Sequence, residues 1–338
     1  MDITERKHAL DQLAATERYT QGLFEHSPVS LWVEDYSGVK RWIDGLKRQG
    51  ITNFPRHLAE HPQAVKESMQ LLQVVDVNQR TLTMFGANSK EELLANLDKV
   101  FRDEMRVHWE HELNDMWAGK LDSEYEGVNY SLSGTAVDIL MRTCPLPGYE
   151  HTWERVLIAI SDITARKKAE SYLSYLGTHD VLTGLRNRGY FEDRRMQLQK
   201  SGRYPVSVIA MDLNGLKNAN DSGGHEAGDG LIRRAAEVIT KAAGEQDIAA
   251  RVGGDEFAML LPYQDERAAR NMIAQLNSLI DMNNQFYTGM RLSLSIGTAT
   301  AYTGMTLDEV LKKADQRMYE AKRSHYATSD GALDRRQG

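Results

Sequence analysis

Residues 251–261 read Arg-Val-Gly-Gly-Asp-Glu-Phe-Ala-Met-Leu-Leu, a glycine-rich turn between two apolar, strand-like runs. Glycine accepts the positive φ angles that close a tight hairpin, and it leaves room for a ligand beside the backbone. We therefore predict a hairpin that presents two adjacent carboxylates, Asp255 and Glu256. Successive strand residues point to opposite faces, so only one of the two is expected to face a given ligand. Taken alone, the pattern is also typical of a solvated turn.

A second carboxylate is expected next to this hairpin. The spacing of apolar residues predicts helices at 227–243 and 269–280, and strands at 204–212, 247–252, 256–261 and 290–299. This β-α-β-β-α-β order is the split βαβ, ferredoxin-like arrangement, in which the first and third strands are neighbours. Asp212 ends the first of these strands, so it would converge with Asp255. Two carboxylates at adjacent strand ends suit Mg²⁺ and metal-assisted phosphoryl or nucleotidyl transfer.

Several short motifs follow one another along the second half of the chain. They are Asp180–Arg188, Asp212–Lys217, Asn220-Asp221, Gly224-His225, Gly228-Asp229, Gly253–Phe257, Ser295–Gly297 and Ala314–Lys322. With these motifs the chain resembles the GGDEF-domain diguanylate cyclases, and such an ordered set is more specific than any single motif. The resemblance implies a domain at 179–328 with a ferredoxin-like, polymerase-palm βαββαβ core. It also implies a homodimer that condenses two GTP molecules into cyclic di-GMP with release of pyrophosphate.

The resemblance implies a role for each matching residue. The expected metal ligands are Asp212, the Leu213 carbonyl, Asp255 and Glu256, with Mg²⁺ as the cofactor and Mn²⁺ as an alternative. The expected catalytic residues are Asp255, which would help to deprotonate the attacking ribose hydroxyl, Lys217 and Glu256. The expected substrate-binding residues are Asn220 and Asp229 for guanine, Lys322 for phosphate, and Leu216 for the pocket wall. An amide and a carboxylate can accept from guanine N–H groups, and lysine supplies a mobile positive charge.

Some of these residues also have a purely structural interpretation. Asp229 could cap its helix and Lys322 could belong to a solvated basic face, although the positional match favours binding roles for both. His225 is interpreted as a packed loop residue. Arg251 is expected to support either a bound phosphate or the hairpin itself.

The chain departs from the common family pattern at several positions. Asn214 stands where the family has an acid, Leu216 where it has phenylalanine, and His325-Tyr326 where it has Gly-Arg. Weaker GTP binding is therefore expected, and a catalytically weak module that only binds nucleotide is the alternative to an active cyclase. The stretch Gly244–Asp247 keeps the acid of the family's Arg-x-x-Asp product site but lacks the arginine. We therefore predict weak or absent feedback inhibition by cyclic di-GMP.

The first half of the chain has a different pattern, and 338 residues are enough for two domains. Strand-like runs are found at 71–78, 124–132, 136–144 and 155–160, with a short helix from Arg80 and a helical stretch at 39–70. The last run leads into Asp162-Ile-Thr164. Residues 21–164 thus resemble a PAS sensory domain with an enlarged front end. The expected fold class of the whole chain is α+β.

A short sequence repeat occurs at the two ends of this first half: Asp2-Ile-Thr-Glu-Arg-Lys7 recurs as Asp162-Ile-Thr-Ala-Arg-Lys167. Residues 1–20 are interpreted as the exit helix of an upstream sensory module in a longer protein, with a recurrent amphipathic linker as the alternative. Residues 165–178 are interpreted as a signalling helix, since Ala165, Ala169, Tyr172 and Leu176 follow coiled-coil spacing. Residues 329–338 are expected to form a disordered tail.

The cysteine and the paired histidines of the first half do not indicate a bound cofactor. Cys144 lacks the context of a flavin photosensor, and the pairs His57/His61 and His108/His111 are interpreted as solvated rather than as haem or metal ligands. The 41 basic and 48 acidic residues give a net charge of −7, which does not favour nucleic-acid binding. A single cysteine, and no apolar run long enough for a membrane span or secretory signal, predict a cytoplasmic protein.

Overall fold

The computed structural model describes residues 3–287 and 289–334. The chain divides into two compact units, Met1–Ala169 and Glu170–Gly338. Helix α9 (Thr164–Thr178) contains the boundary between them. No helix in the described ranges is long and apolar enough to cross a bilayer.

The described residues of the first unit form eight helices and five strands before α9. The helices are α1 (Ile3–Glu25), α2 (Ser37–Arg48), α3 (Phe54–Glu60), α4 (Pro62–Met69), α5 (Gln79–Phe85), α6 (Lys90–Leu94), α7 (Leu97–Val100) and α8 (Asp103–Trp117). The strands are β1 (Ser30–Asp35), β2 (Gln73–Val77), β3 (Ser123–Tyr130), β4 (Ala136–Pro145) and β5 (Val156–Asp162). The strands predicted in this half are confirmed, and the helical stretch at 39–70 consists of α2, α3 and α4.

The five strands form one antiparallel sheet in the order β2-β1-β5-β4-β3. Alternate residues of β4 and β5 are buried, which gives the sheet one inner face packed against helices. Trp32, Phe54 and Phe85 are almost completely buried in this core. Asn78 joins the sheet to α5: its Oδ1 accepts from the Thr81 amide, and its Nδ2 donates to the Val29 carbonyl.

The second unit follows the predicted β-α-β-β-α-β order. Its elements after α9 are α10 (Arg188–Ser201), β6 (Val206–Leu213), α11 (Leu216–Ala242), β7 (Ile248–Arg251), β8 (Glu256–Pro262), α12 (Glu266–Phe286), β9 (Leu294–Ala301) and α13 (Leu307–Asp334). The sheet order is β7-β8-β6-β9, and every neighbouring pair is antiparallel. The first and third strands of the series are therefore neighbours, as expected.

Both faces of this sheet are covered, and every residue of β6 is buried. Ile209 and Met211 pack on one side with α11 and α12, whereas Val208 and Ala210 pack on the other side with α10 and α13. A strand buried on both faces reads as a continuous apolar run, which explains why this strand was clear in the sequence. An acid at the end of such a strand is held rigidly.

The structure differs from the sequence-based expectations at several element ends. Helix α11 starts at Leu216 instead of 227, because its two segments join across a kink at Gly224, where φ is 73°. Strand β9 starts at Leu294 instead of 290. Helix α13 continues to Asp334, so residues 329–334 are helical instead of disordered. Once a helix has formed, each residue added to its end gains one backbone hydrogen bond, which favours this extension. Residues 335–338 of the expected tail lie outside the described residues.

The signature hairpin closes without left-handed glycines. Neither Gly253 nor Gly254 has a positive φ, so that expectation is wrong. The turn is closed instead by the Val252 and Gly253 amides, which donate to the Glu256 carbonyl at 2.9 and 3.3 Å. A Cβ at Gly253 would lie 2.5 Å from Glu256 Oε2 and 3.2 Å from Glu256 Cβ, so a larger residue there would displace the exposed Glu256 side chain.

Candidate active site

Asp212 lies near the end of the central strand β6 and is only 4% exposed. It is paired with Glu256 on β8 and with Ser295 on β9. The hairpin residue Asp255 is tied to the same strand end, because its carbonyl accepts from the Leu213 amide at 2.8 Å. The convergence of Asp212 and Asp255 that the sequence predicted is therefore found in the structure.

Lys322 reaches this strand end from α13. Its ammonium lies 2.7 Å from both carboxylate oxygens of Asp212 and 3.9 Å from Asp255 Oδ2. The residues that meet here are far apart in sequence and come from β6, the hairpin and α13. A solvated basic face, the alternative interpretation of Lys322, does not describe this position, since only 29% of its side chain is exposed.

The electrostatics of this cluster are unbalanced. Burial raises the pKa of Asp212, and the charges of Asp255 and Glu256 add to this, so that the Lys322 contact does not offset them. Burial lowers the pKa of Lys322, but its hydrogen bond and attraction to Asp212 outweigh burial and leave that pKa raised. Asp212 Oδ1 is buried and accepts no hydrogen bond in spite of the nearby ammonium. Asp212 and Asp255 thus share one lysine while Glu256 adds negative charge beside Asp212, and the cluster has capacity for a further cation.

A divalent ion would use few protein ligands here. In the described parts of the chain, no set of three or more His, Cys, Asp or Glu residues is placed to hold a metal. Asp212 and Asp255 remain as a carboxylate pair, and Asp212 Oδ1 has the Lys322 ion pair but no hydrogen bond of ordinary geometry. Such a pair fits Mg²⁺, which binds one or two carboxylates and completes its shell with water and substrate phosphates.

The loop after Asp212 is held by Asn214, which is 4% exposed. Its Nδ2 donates to Ser293 Oγ at 3.0 Å, and its Oδ1 accepts from Ser295 Oγ at 2.9 Å. An acid at this position would lose the amide donor, so this departure from the family pattern is explained by β9 and its preceding loop. Sequence reasoning missed this role, and the serines on both sides of Leu294 were its only signal.

The N-terminus of α11 follows directly. Gly215, with φ of 77°, is its N-cap residue and provides no side-chain cap for the first amides of the helix. One of them, the Gly215 amide, donates to Tyr326 Oη at 3.4 Å. Lys217 is exposed and forms no ion pair within the described residues. The structure therefore does not bring Lys217 to the carboxylates.

The predicted guanine-binding residues meet at Gly228. A Cβ at Gly228 would overlap Asn220 Oδ1 and would lie 3.1 Å from Leu216 Cδ1. Asn220 and Leu216 are thus packed against the glycine itself, and the half-buried Asp229 is its neighbour on α11. The kink at Gly224 lies between Asn220 and Asp229. It brings Gly228, in the second segment of the helix, against Asn220 and Leu216 in the first segment. His225, beside this kink, is exposed instead of packed.

Arg251 supports the hairpin. Its guanidinium donates to the Gly254 carbonyl at 2.8 Å and contacts the Asp180 carboxylate at 3.2 Å. Burial raises the pKa of Asp180, but hydrogen bonds from Thr183 and Arg251 outweigh it and leave that pKa lowered. Of the two roles expected for Arg251, hairpin support is the one that the geometry favours.

In the stretch Gly244–Asp247, which lacks the arginine of the family's product site, the Asp247 carboxylate already has hydrogen-bond partners within the protein. Asp247 accepts from the Gly244 amide at 2.8 Å and from Gln264 Nε2 at 2.7 Å. It lines an open pocket of about 420 Å³ together with Arg186, Arg194 and Tyr263. The prediction of weak feedback inhibition remains a prediction.

Comparison with known proteins places the second unit in context. Residues 177–327 match the family model described as "Diguanylate cyclase, GGDEF domain". The chain is 32% identical over 216 residues to the probable diguanylate cyclase DgcE of Escherichia coli K12, covering 63% of this chain and 19% of that protein. It is 27% identical over 258 residues to the diguanylate cyclase DgcM of the same strain, covering 74% of this chain and 61% of that protein.

A solved structure of the coiled coil and GGDEF domain of DgcB from Caulobacter crescentus, in complex with c-di-GMP, is also similar. Its sequence identity is 26% and its TM-score 0.43, over 48% of this chain and 89% of that chain.

Proposed function

Because residues 177–327 belong to the GGDEF family of diguanylate cyclase domains, we propose that this chain condenses two GTP molecules into cyclic di-GMP and two pyrophosphates. In each half-reaction a ribose hydroxyl oxygen attacks the α-phosphorus of the other GTP, the hydroxyl proton leaves, and pyrophosphate departs. The observation that carries the proposal is the meeting of Asp212, Asp255 and Lys322 at one strand end.

The proposed site combines a base, a phosphate contact and a metal position. Asp255 is 40% exposed, so it can approach an incoming ribose hydroxyl and accept its proton. Asp212 and Asp255, with the Leu213 carbonyl, would hold Mg²⁺ or Mn²⁺, and the bound ion would stabilise charge on the phosphates. Lys322 would exchange its contact with Asp212 for the triphosphate. The uncapped amides at the start of α11 suit the same anion.

Guanine recognition is proposed for the face of α11 around Gly228. Asn220 supplies a donor and an acceptor, and Asp229 supplies acceptors for the base N–H groups. Leu216, in place of an aromatic residue, forms an apolar wall that also packs into the core. Gly228 lets the side-chain amide of Asn220 lie close to the helix. This position fits a guanine pocket and fits a packing role for Asn220 equally well.

A homodimer is proposed because each condensation joins two bound GTP molecules, and the pair Asp212 and Asp255 would hold one of them. The first unit is proposed to be a PAS-type sensory domain over residues 21–164, supported by its five-stranded antiparallel sheet in the order β2-β1-β5-β4-β3. Helix α9 would be the signalling helix: none of its residues is buried, and Tyr172 and Leu173 are 57% and 66% exposed. A bound signal would then shift the population of dimer arrangements.

The test is cyclic di-GMP formation from GTP and Mg²⁺ by the purified chain, compared with Asp255→Asn, over a range of protein concentrations. We expect product from the wild type, a rate per chain that rises with protein concentration, and loss of product in the variant. The control is Asp308→Asn, an exposed acid at the start of α13, which should leave the rate unchanged. A dimeric wild type that binds GTP and forms no product would favour the catalytically weak module instead.

A further inference from the structure

A group of buried polar side chains in the first unit has no assigned role. Glu112 on α8 is 8% exposed, and Thr143 on the inner face of β4 is 1% exposed. The Thr143 hydroxyl lies close enough to lower the pKa of the Glu112 carboxyl. Nevertheless Glu112 Oε1 and Thr143 Oγ1 are buried and make no hydrogen bond of ordinary geometry. A buried polar atom without a hydrogen-bond partner destabilises the fold, so we expect a bound molecule to satisfy these two atoms.

A second carboxyl faces the same place. Glu34 ends the inner face of β1 and accepts a hydrogen bond from the Tyr36 hydroxyl. Burial and the neighbouring Glu112 raise the pKa of Glu34 to about 8, and burial raises that of Glu112 to about 7. None of the ion pairs among the described residues involves Glu34 or Glu112. The two acids therefore share one buried region without an ion-paired lysine or arginine, and His108, four residues before Glu112 on α8, stacks on Tyr125 with ring centres 4.0 Å apart.

Aromatic rings surround these acids. Tyr36 and Trp109 meet edge to face with ring centres 5.8 Å apart, and Trp109 lies one turn before Glu112 on α8. Trp109 Nε1 is already satisfied by Ser68 Oγ at 2.9 Å, so the indole contributes only its ring. Burial raises the pKa of Tyr125, and the nearby charge of Glu112 raises it further. Glu34 and Tyr125 are half-buried, so the group reaches the surface at these two side chains.

We propose that Glu34, Glu112 and Thr143, with the rings of Tyr36, Trp109 and Tyr125, bind a small organic ammonium ion. An ammonium group donates hydrogen bonds to carboxylates, supplies a positive charge beside the two acids and is attracted to aromatic faces. A metal ion fits less well, because no set of three or more His, Cys, Asp or Glu side chains is placed for one in the described chain. The inference rests on the proposed sensory role of the first unit and identifies the class of signal.

The test measures binding directly, so it is independent of cyclase activity. The full chain is titrated with isobutylamine and with isobutanol, which have the same shape but differ in charge, by calorimetry at pH 7.5. The tryptophan emission is followed in parallel, because all five tryptophans lie in the first unit. We expect the amine to bind and the alcohol to bind at least tenfold more weakly. Equal binding of both compounds, or of neither, would overturn the proposal.

Three variants assign the binding to this group. Glu112→Gln keeps the shape and removes the charge, so amine affinity should fall at least tenfold. Glu124→Gln makes the same change on the exposed face of the sheet, where Glu124 pairs only with Arg142 at 3.6 Å, and should leave affinity unchanged. Thr143→Val should weaken the amine several-fold, and it decides the outcome if Glu112→Gln does not fold. Unchanged affinity in a folded Glu112→Gln or Thr143→Val chain would contradict the proposal.

Discussion

The two units each contain a buried acidic cluster, and the clusters differ in whether a lysine faces them. In the second unit Lys322 contacts Asp212 and lies near Asp255 at the exposed end of a strand. In the first unit Glu112 and Glu34 lie among aromatic rings with no such partner in the described residues. Burial raises the pKa of Asp212 and of Glu112, but only Asp212 has an ammonium that favours its charged form. The cluster of the second unit is therefore proposed to bind an anionic substrate with its metal, and the cluster of the first unit is proposed to bind a cation.

Removing the lysine is the strongest way to break this contrast. In Lys322→Met the carboxylates would face each other without a cation, and the triphosphate would lose its charged contact. Loss of one electrostatic contact of this kind costs about 10²–10³ in turnover, and we expect a decrease of that size in cyclic di-GMP formation. The matched control is Lys313→Met, an exposed lysine on the same helix. Equal turnover in Lys322→Met and wild type would show that Lys322 is not part of the site.

The pH dependence of stability tests the same contrast in the first unit. The folded pKa of Glu112, about 7, is raised above its ordinary value of 4.5, so the folded state binds a proton that the unfolded state releases. The contribution of Glu112 to the free energy of unfolding is therefore fully present below its unfolded pKa of 4.5. It is lost as the pH rises through the folded pKa of about 7. Between pH 5.5 and 8.5 this group alone should cost the first unit about 2 kcal/mol. Glu34, with a pKa of about 8, adds to the same trend. Tyr36, Tyr125, Asp115 and the His108 ring stacked on Tyr125 are titratable groups near the pair.

Denaturant unfolding followed by tryptophan emission measures this effect in the first unit alone. Glu112→Gln should flatten the pH dependence and should be more stable than the wild type at pH 8.5, whereas Glu124→Gln should retain the slope. A wild-type stability that rises over this pH range would show that these carboxyls are charged in the folded state.

The smallest expected effect concerns Tyr326, which stands where the family has arginine. Its hydroxyl contacts the Gly215 amide at 3.4 Å at an exposed position, so the net contribution of this hydrogen bond is about 0.5 kcal/mol. We expect Tyr326→Phe to change the KM for GTP less than about threefold and to leave kcat unchanged. A large change in KM, measured in the cyclic di-GMP assay, would show that the hydroxyl contacts the substrate.

The sequence predicted more of the second unit than of the first. The apolar run of β6, the glycine-rich hairpin and the helical spacing of α12 each have a strong local pattern, and their order specified the sheet. Element ends were less predictable. The start of α11 was misplaced because residues 216–226 contain several glycines and small polar residues, which are typical of loops, and the helix nevertheless forms around the kink at Gly224.

Residue types and their order were enough to determine the strand order of the second unit, the meeting of Asp212 with Asp255, and the family of residues 177–327. This was possible because period and turn chemistry are local properties of the chain. Only the tertiary structure decided that Lys322 lies on Asp212, that Asn214 is held by Ser293 and Ser295, and that Glu34 and Glu112 share one interior. Each of these contacts joins residues far apart in sequence, and its energy depends on burial that no local pattern reports.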